Sequence, residues 1–227
     1  MICRRRNLIF VHIPKCGGSS LENMLWPGPK ENRTTDDLWH GFIDKYNNQY
    51  QTGGLQHLTA QLIRQVVGKD VFDACYRFTI CRDPISRSIS QYNYLSSRGD
   101  LVNFLHLPKR YSFDHYLDAI CKYTHVQWTP QVDFILDQDG SPLADVFKLE
   151  DIAKDFAAMA QKLGLDATEM VHENKGKTRQ GLKTMLRLKP RALTRQKLTR
   201  EQHEKLCAFY KDDFSFLGYS TTFAGAS

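Results

Sequence analysis

The stretch Asn7-Leu8-Ile9-Phe10-Val11-His12-Ile13-Pro14-Lys15-Cys16-Gly17-Gly18-Ser19-Ser20-Leu21-Glu22-Asn23-Met24-Leu25-Trp26 decides the fold. Its first seven residues are almost continuously apolar and rich in β-branched side chains, the pattern of a strand buried on both faces. Pro14 ends that run, Gly17 and Gly18 make a turn, and the residues from Leu21 to Trp26 have helical spacing that stops before Pro27-Gly28-Pro29. The order is strand, glycine loop, helix.

The same order recurs downstream. Ala74-Cys75-Tyr76-Arg77-Phe78-Thr79-Ile80-Cys81 reads as a second strand. Arg82-Asp83-Pro84 turns it into a helix of roughly 14 residues, with Asp83 as N-cap and Pro84 at the first helical position. Between the two units, 57–67 reads as a helix capped by Thr59, with Leu58, Leu62, Ile63, Val66 and Val67 on one face. Later come a helix over 113–122, a strand over 132–136, a turn at Asp137-Gln138-Asp139-Gly140, a strand over 144–149, and helices over 150–163 and 200–210. Residues 30–54 are polar and weakly periodic, an irregular excursion suited to shaping a cleft. Alternating strands and helices predict an α/β fold, a three-layer sandwich with a mainly parallel central sheet of the P-loop nucleotide-binding type. Ligands of such sheets sit at the carboxyl ends of the strands, where both the glycine turn and the arginine turn belong.

The chain has 227 residues, which suits one domain over 1–227. Its 41% hydrophobic and 25% charged residues exclude a disordered or fibrous class. No apolar run is long enough for a membrane span or a signal-peptide core, so a cytoplasmic protein is expected. Cys3, Cys16, Cys75, Cys81, Cys121 and Cys207 contain no CxxC pair and are read as reduced thiols; no metal site is expected. The net charge of +6 is local in origin: 175–200 holds ten Lys or Arg residues and no acid, so the remainder is net acidic. Such a segment suits a solvated face, a lid, or an anionic ligand.

Two constellations carry phosphate chemistry. In Lys15-Cys16-Gly17-Gly18-Ser19-Ser20 the glycines let backbone amides close on an anion, the helix start adds its dipole, the serines add hydroxyl donors and Lys15 adds mobile charge. Lys15 precedes the glycines, unlike GxxxxGK[ST], where the lysine follows them beside a Mg²⁺-binding hydroxyl. A lysine that neutralises a departing phosphate needs no metal. The second constellation is Arg82-Asp83-Pro84-Ile85-Ser86-Arg87-Ser88-Ile89-Ser90-Gln91-Tyr92, in which Arg82 offers a planar fork at the strand end while Ser86 and Ser90 share one helix face. Two phosphate sites at neighbouring strand ends imply a doubly phosphorylated ligand.

These motifs resemble those of sulfotransferases dependent on 3′-phosphoadenosine 5′-phosphosulfate (PAPS). The chain is most similar to the carbohydrate-type branch that includes uronyl 2-O- and chondroitin/dermatan sulfotransferases and bacterial relatives. Lys15-Cys16-Gly17-Gly18-Ser19-Ser20 resembles the family's 5′-phosphosulfate loop, and Arg82-Asp83-Pro84 with Arg87, Ser90 and Tyr92 its 3′-phosphate motif. Weaker similarity lies in Gln56-His57-Leu58-Thr59, Thr129-Pro130-Gln131, Phe147-Lys148-Leu149-Glu150 and the ending from Asp213 to Tyr219. The resemblance implies that Lys15, Cys16, Gly17, Gly18, Ser19 and Ser20 hold the 5′ end of PAPS and Arg82 and Ser90 its 3′-phosphate. Asn174-Lys175-Gly176-Lys177 resembles the late basic loop that closes over the nucleotide. It also implies adenosine 3′,5′-bisphosphate as product, no metal, and a saccharide or glycolipid hydroxyl as acceptor.

Sulfuryl transfer calls for a general base with a proton affinity near working pH. His57 lies in a polar turn before a helix, and its position resembles the family's catalytic histidine. His12, inside the first strand, reads as a core histidine; His40, His106, His115, His125 and His203 read as surface residues, with His172 in reserve. Glu22 reads as a solvated helix carboxylate within reach of the site. Two other functions compete: a P-loop kinase-like phosphotransferase, which would need Mg²⁺, and a basic nucleic-acid-binding protein using 175–200. The displaced lysine and the arginine motif argue against the first, and the near absence of aromatic residues in 175–200 against the second, so no nucleic-acid partner is expected.

Overall fold

The computed structural model describes residues 1–25, 56–163 and 193–223. Among the described residues the sheet has four strands, β1 (Ile2–Cys3), β2 (Leu8–Val11), β3 (Tyr76–Cys81) and β4 (Asp145–Lys148), side by side in that order. β1 runs antiparallel to β2, whereas β2, β3 and β4 are mutually parallel, with Val11 opposite Thr79 and Cys81 opposite Lys148. The sheet is mainly parallel, as its buried strands predict. The chain leaves β2 and β3 at the same edge, so the glycine and arginine turns are neighbours.

The helices, in chain order, are α1 (Gly18–Leu25), α2 (Ala60–Val67), α3 (Lys69–Ala74), α4 (Pro84–Leu95), α5 (Gly99–Phe104), α6 (Phe113–Ile120), α7 (Val132–Ile135), α8 (Ile152–Leu163), α9 (Arg200–Phe209) and α10 (Lys211–Leu217). Alternation along β2 sends Ile9 and Val11 into a cluster with Ile63 and Val67 of α2 and Phe72 of α3. Leu8 and Phe10 face the other way, onto Leu21 and Leu25 of α1 and Met159 and Leu163 of α8. Helices therefore cover both sheet faces. A third cluster joins Ile85 and Ile89 of α4 to Tyr116 and Leu117 of α6, Leu206 of α9, and Trp128. Each such buried side chain contributes about 1.5–3 kcal/mol, more than the intrinsic stability of any of these short helices. No helix among the described residues is long and apolar enough to cross a membrane.

Local signals set most boundaries where the sequence places them. Thr59 Oγ1 accepts from the Leu62 amide at 3.2 Å and starts α2, and Asp83 accepts from the Ser86 amide at 2.8 Å with Pro84 opening α4. The exception is 132–136, read as a strand; it is the short helix α7. The Val132 amide donates to the buried Asp213 carboxylate at 2.9 Å, a helix cap supplied from 81 residues away. Only Leu136 keeps a strand-like bridge, to Pro142. Helices α3, α5 and α10, of six or seven residues, are additions to the sequence reading. α10 ends at Gly218, with φ +63°, where the Tyr219 amide bonds back to Phe214 O at 3.1 Å. That reversal carries Tyr219 to the carboxyl end of β3.

Candidate functional site

The loop after β2 approaches its neighbours too closely for side chains at two positions. An added Cβ at Gly18 would run into the His12 ring, and one at Gly17, with φ +81°, would lie 2.8 Å from Leu149 Cδ1. Lys15 also takes a left-handed conformation, φ +66°. The loop thus turns sharply and presents backbone amides at the start of α1. The side chains of Ser19 and Ser20 lie outside the described residues, as do Lys175, Gly176 and Lys177 and the excursion 30–54. Cys16 is buried, its thiol directed at Gln131 Oε1 at 3.3 Å and pushed up to about 12 by burial, against the pull of Arg87. It can therefore offer an anion only its backbone amide.

Arg82, at the end of β3, reaches across to the loop and donates through Nη1 to Lys15 O at 3.3 Å. Among the described residues neither Arg82 nor Lys15 has a carboxylate partner, whereas Arg98 is held by Asp100 at 2.8 Å and Arg195 by Asp83 at 2.9 Å. The Lys15 ammonium lies 3.9 Å from the centre of the Tyr94 ring. Burial, then Arg82 and Arg98, lower its proton affinity. Two cations without a carboxylate partner among the described residues thus meet at adjoining strand ends, an arrangement that suits an anion. Ser90 is half-buried on α4, one turn beyond Ser86 on the same face, and its hydroxyl has no hydrogen-bond partner among the described residues.

Arg87 has a different task. It is 1% exposed, donating through Nε to Pro14 O at 3.0 Å and through Nη1 to Thr129 O at 2.8 Å, which fastens α4 to the loop. Gln131 clamps the strand end, accepting from the Arg82 amide at 2.9 Å and donating to Arg82 O at 2.8 Å, with its amide also 3.3 Å from Asp213 Oδ2. Glu150 accepts from the Asp83 amide at 2.9 Å and from the Tyr219 hydroxyl at 2.8 Å. The segments 129–131, 147–150 and 213–219 thus frame the arginine turn. Sequence reasoning found the segments without their roles, because each acts through a partner distant in the chain.

His57 is buried, with φ +60°, and its ring lies 4.4 Å from that of His12. Its Nδ1 is 2.8 Å from His12 O. A carbonyl only accepts, so Nδ1 carries the hydrogen and Nε2 keeps a lone pair. Burial and then His12 hold the ring well below the usual imidazole range, hence neutral. His57, His12 and Gly18 are contiguous, which places a neutral histidine beside the glycine loop.

His12 is buried, as expected of a strand histidine. Glu22 is not the solvated carboxylate that its helix position suggested: it is 5% exposed, 2.8 Å from His12 Nδ1 and 3.1 Å from the donating Gln56 Nε2. The His12 contact is short but lies outside hydrogen-bond angles. Burial raises the Glu22 carboxyl, yet His12 and Gln56 outweigh it and hold it at about 2. His125 and His203 are buried, not superficial. The first stacks on Trp128 with centroids 4.8 Å apart, and the second lies on the inner face of α9 against Phe223. His106 and His115 are exposed, and His40 and His172 lie outside the described residues.

Among the described residues no group of three or more His, Cys, Asp or Glu side chains is placed to hold a metal ion. No curated protein and no solved structure matches the chain. A sequence model of the Sulfotransferase family matches residues 1–220, nearly the whole chain and both of its turns. A glycine loop, a neutral histidine behind it, and Lys15 and Arg82 without carboxylate partners among the described residues fit that match, and the protein belongs to the sulfotransferase family.

Proposed function

We propose that this sulfotransferase uses PAPS as sulfuryl donor and a hydroxyl of a saccharide or glycolipid as acceptor, without a metal ion. On this reading residues 1–227 form one domain of the P-loop nucleotide-binding type. The observation that carries it is the junction of Lys15 and Arg82, cations without carboxylate partners among the described residues, joined at the ends of β2 and β3, with a neutral His57 packed on His12 behind the loop. The residues fit the donor: the close packing that Gly17 and Gly18 allow against Leu149 and His12 sets a turn with backbone amides at the start of α1, and Arg82 has donors to spare for a phosphate. PAPS, when bound, supplies an activated sulfuryl group on a phosphate leaving group.

Lys15 and the amides of Cys16, Gly17 and Gly18 hold the 5′ end, with the hydroxyls of Ser19 and Ser20 assigned there by the motif. Arg82 and Ser90 hold the 3′-phosphate, and Lys175, Gly176 and Lys177 close over the nucleotide. His57 takes the acceptor proton at Nε2, while Lys15 and the loop amides stabilise charge on the departing phosphate. In-line displacement needs no covalent intermediate. The test is transfer of radiolabelled sulfuryl from PAPS, in EDTA, to unsulfated chondroitin, desulfated heparin and a galactolipid. Label on a saccharide or glycolipid is the expected result; label on phenols alone, or a requirement for Mg²⁺, contradicts the reading.

A further inference from the structure

A buried base held neutral accepts a proton only if something nearby stabilises the imidazolium that results. Among the described residues, the charged and titratable groups that face His57 are His12 from β2, Glu22 from α1 and the amino group of Met1 at the head of β1. Of these, Glu22 alone is negative. It is tied to the His57 turn by two routes. One runs through His12, whose ring contacts Glu22 at 2.8 Å while its carbonyl accepts from His57 Nδ1 at 2.8 Å. The other runs through Gln56, the residue preceding His57, whose amide donates to Glu22 Oε1 at 3.1 Å.

We propose that Glu22, seated against His12 and Gln56, is the counter-charge for the proton that His57 receives, and so a positioning residue of the sulfuryl transfer. This rests on the reading of His57 as base. As the acceptor O–H bond breaks, its proton goes to His57 Nε2 and the oxygen forms the new bond to sulfur. The bond from sulfur to the phosphate oxygen breaks, and its electron pair leaves on adenosine 3′,5′-bisphosphate. Glu22 takes no proton. Its carboxylate is ionised before and after, and its field favours the charged form of His57 over the neutral one. His12, between the two, keeps the carboxylate off the acceptor while fixing the His57 tautomer.

Glu22→Gln keeps the shape and a carbonyl for Gln56 but removes the charge. It is compared with wild type and His57→Ala by bisphosphate released from PAPS, with unsulfated chondroitin and with water alone as acceptor. Bisphosphate affinity is measured by calorimetry. Glu22→Gln is expected to lower kcat roughly ten- to hundred-fold, a part of what a positioned base contributes. The dissociation constant of the bisphosphate and the KM for PAPS should stay within about two-fold, since Glu22 has no place in the anion site. Without Glu22 the imidazolium is less favoured, so the acid limb of the kcat profile moves to lower pH even as the plateau falls. A merely destabilised variant would not show that combination. Unchanged kcat and pH profile in Glu22→Gln, with His57→Ala inactive, overturns the Glu22 role alone. Full turnover in His57→Ala, or none in wild type with either acceptor, overturns the underlying reading of the site instead.

Discussion

Replacing His57 lowers turnover by about 10²–10⁴-fold, the contribution of a positioned general base, while affinity for adenosine 3′,5′-bisphosphate stays within a few-fold. The two effects separate because His57 meets His12 and lies behind Gly18, whereas the cations we assign to the phosphates are Lys15 and Arg82. Two variants make the test clean. His57→Ala removes the ring outright. His57→Asn tolerates the φ of +60° better and can still donate to His12 O, but it has no basic nitrogen. Both should show that loss in steady-state assays of bisphosphate release, with Asn the closer to wild-type stability. Because burial and His12 hold the ring well below the usual imidazole range, the wild-type base is already deprotonated at neutral pH. Its kcat should therefore be flat there and fall only on the acid side. Normal turnover in either variant removes His57 as the base.

Lys15→Ala damages both binding and rate. Loss of one charged hydrogen bond costs about 1.5–3 kcal/mol, or roughly ten- to hundred-fold in bisphosphate affinity. Loss of a cation aimed at charge developing on the leaving group removes about 10²–10³ in kcat. The ammonium rests on the Tyr94 ring and has no carboxylate partner among the described residues, so no ion pair must be broken before it meets a phosphate. Burial, then Arg82 and Arg98, lower its proton affinity, and a bound phosphate opposes the arginines by adding negative charge. Binding should accordingly raise the Lys15 proton affinity. The variant should fold, since the alanine inherits a backbone conformation that wild type already pays for. Calorimetry and steady-state kinetics check both halves, and unchanged constants would break the assignment of the loop.

The strand–loop–helix order, the caps at Thr59 and Asp83 and the shared edge of the two turns were legible because each rests on residues within a few positions of one another. Failures came where a distant group intervenes. Apolar Val132 to Leu136 suits a strand by composition, but the Asp213 carboxylate caps it as a helix. Glu22 has the sequence environment of a surface residue, and only the packing of α1 on β2 buries it against His12. Arg87 sits inside the phosphate motif, yet its donors go to Pro14 and Thr129 carbonyls, making it a fastener of the loop. Helices as short as α5 and α10 are too brief to show a period and are held by the third core cluster. Beyond the saccharide class that the resemblance implies, acceptor choice was not legible, because residues 30–54 are only weakly periodic and carry no recognisable motif.

The central claim is that Lys15 and Arg82 form one metal-free site for a doubly phosphorylated nucleotide. Calorimetric titration with adenosine 3′,5′-bisphosphate in EDTA tests it most directly, beside ADP and ATP with and without Mg²⁺, in wild type and Arg82→Ala. Tight metal-free binding of the bisphosphate, weakened roughly ten-fold or more by loss of the Arg82 fork, is the predicted result. Absence of binding, or a preference for ATP with Mg²⁺, would contradict it and point to phosphotransfer at the same strand ends.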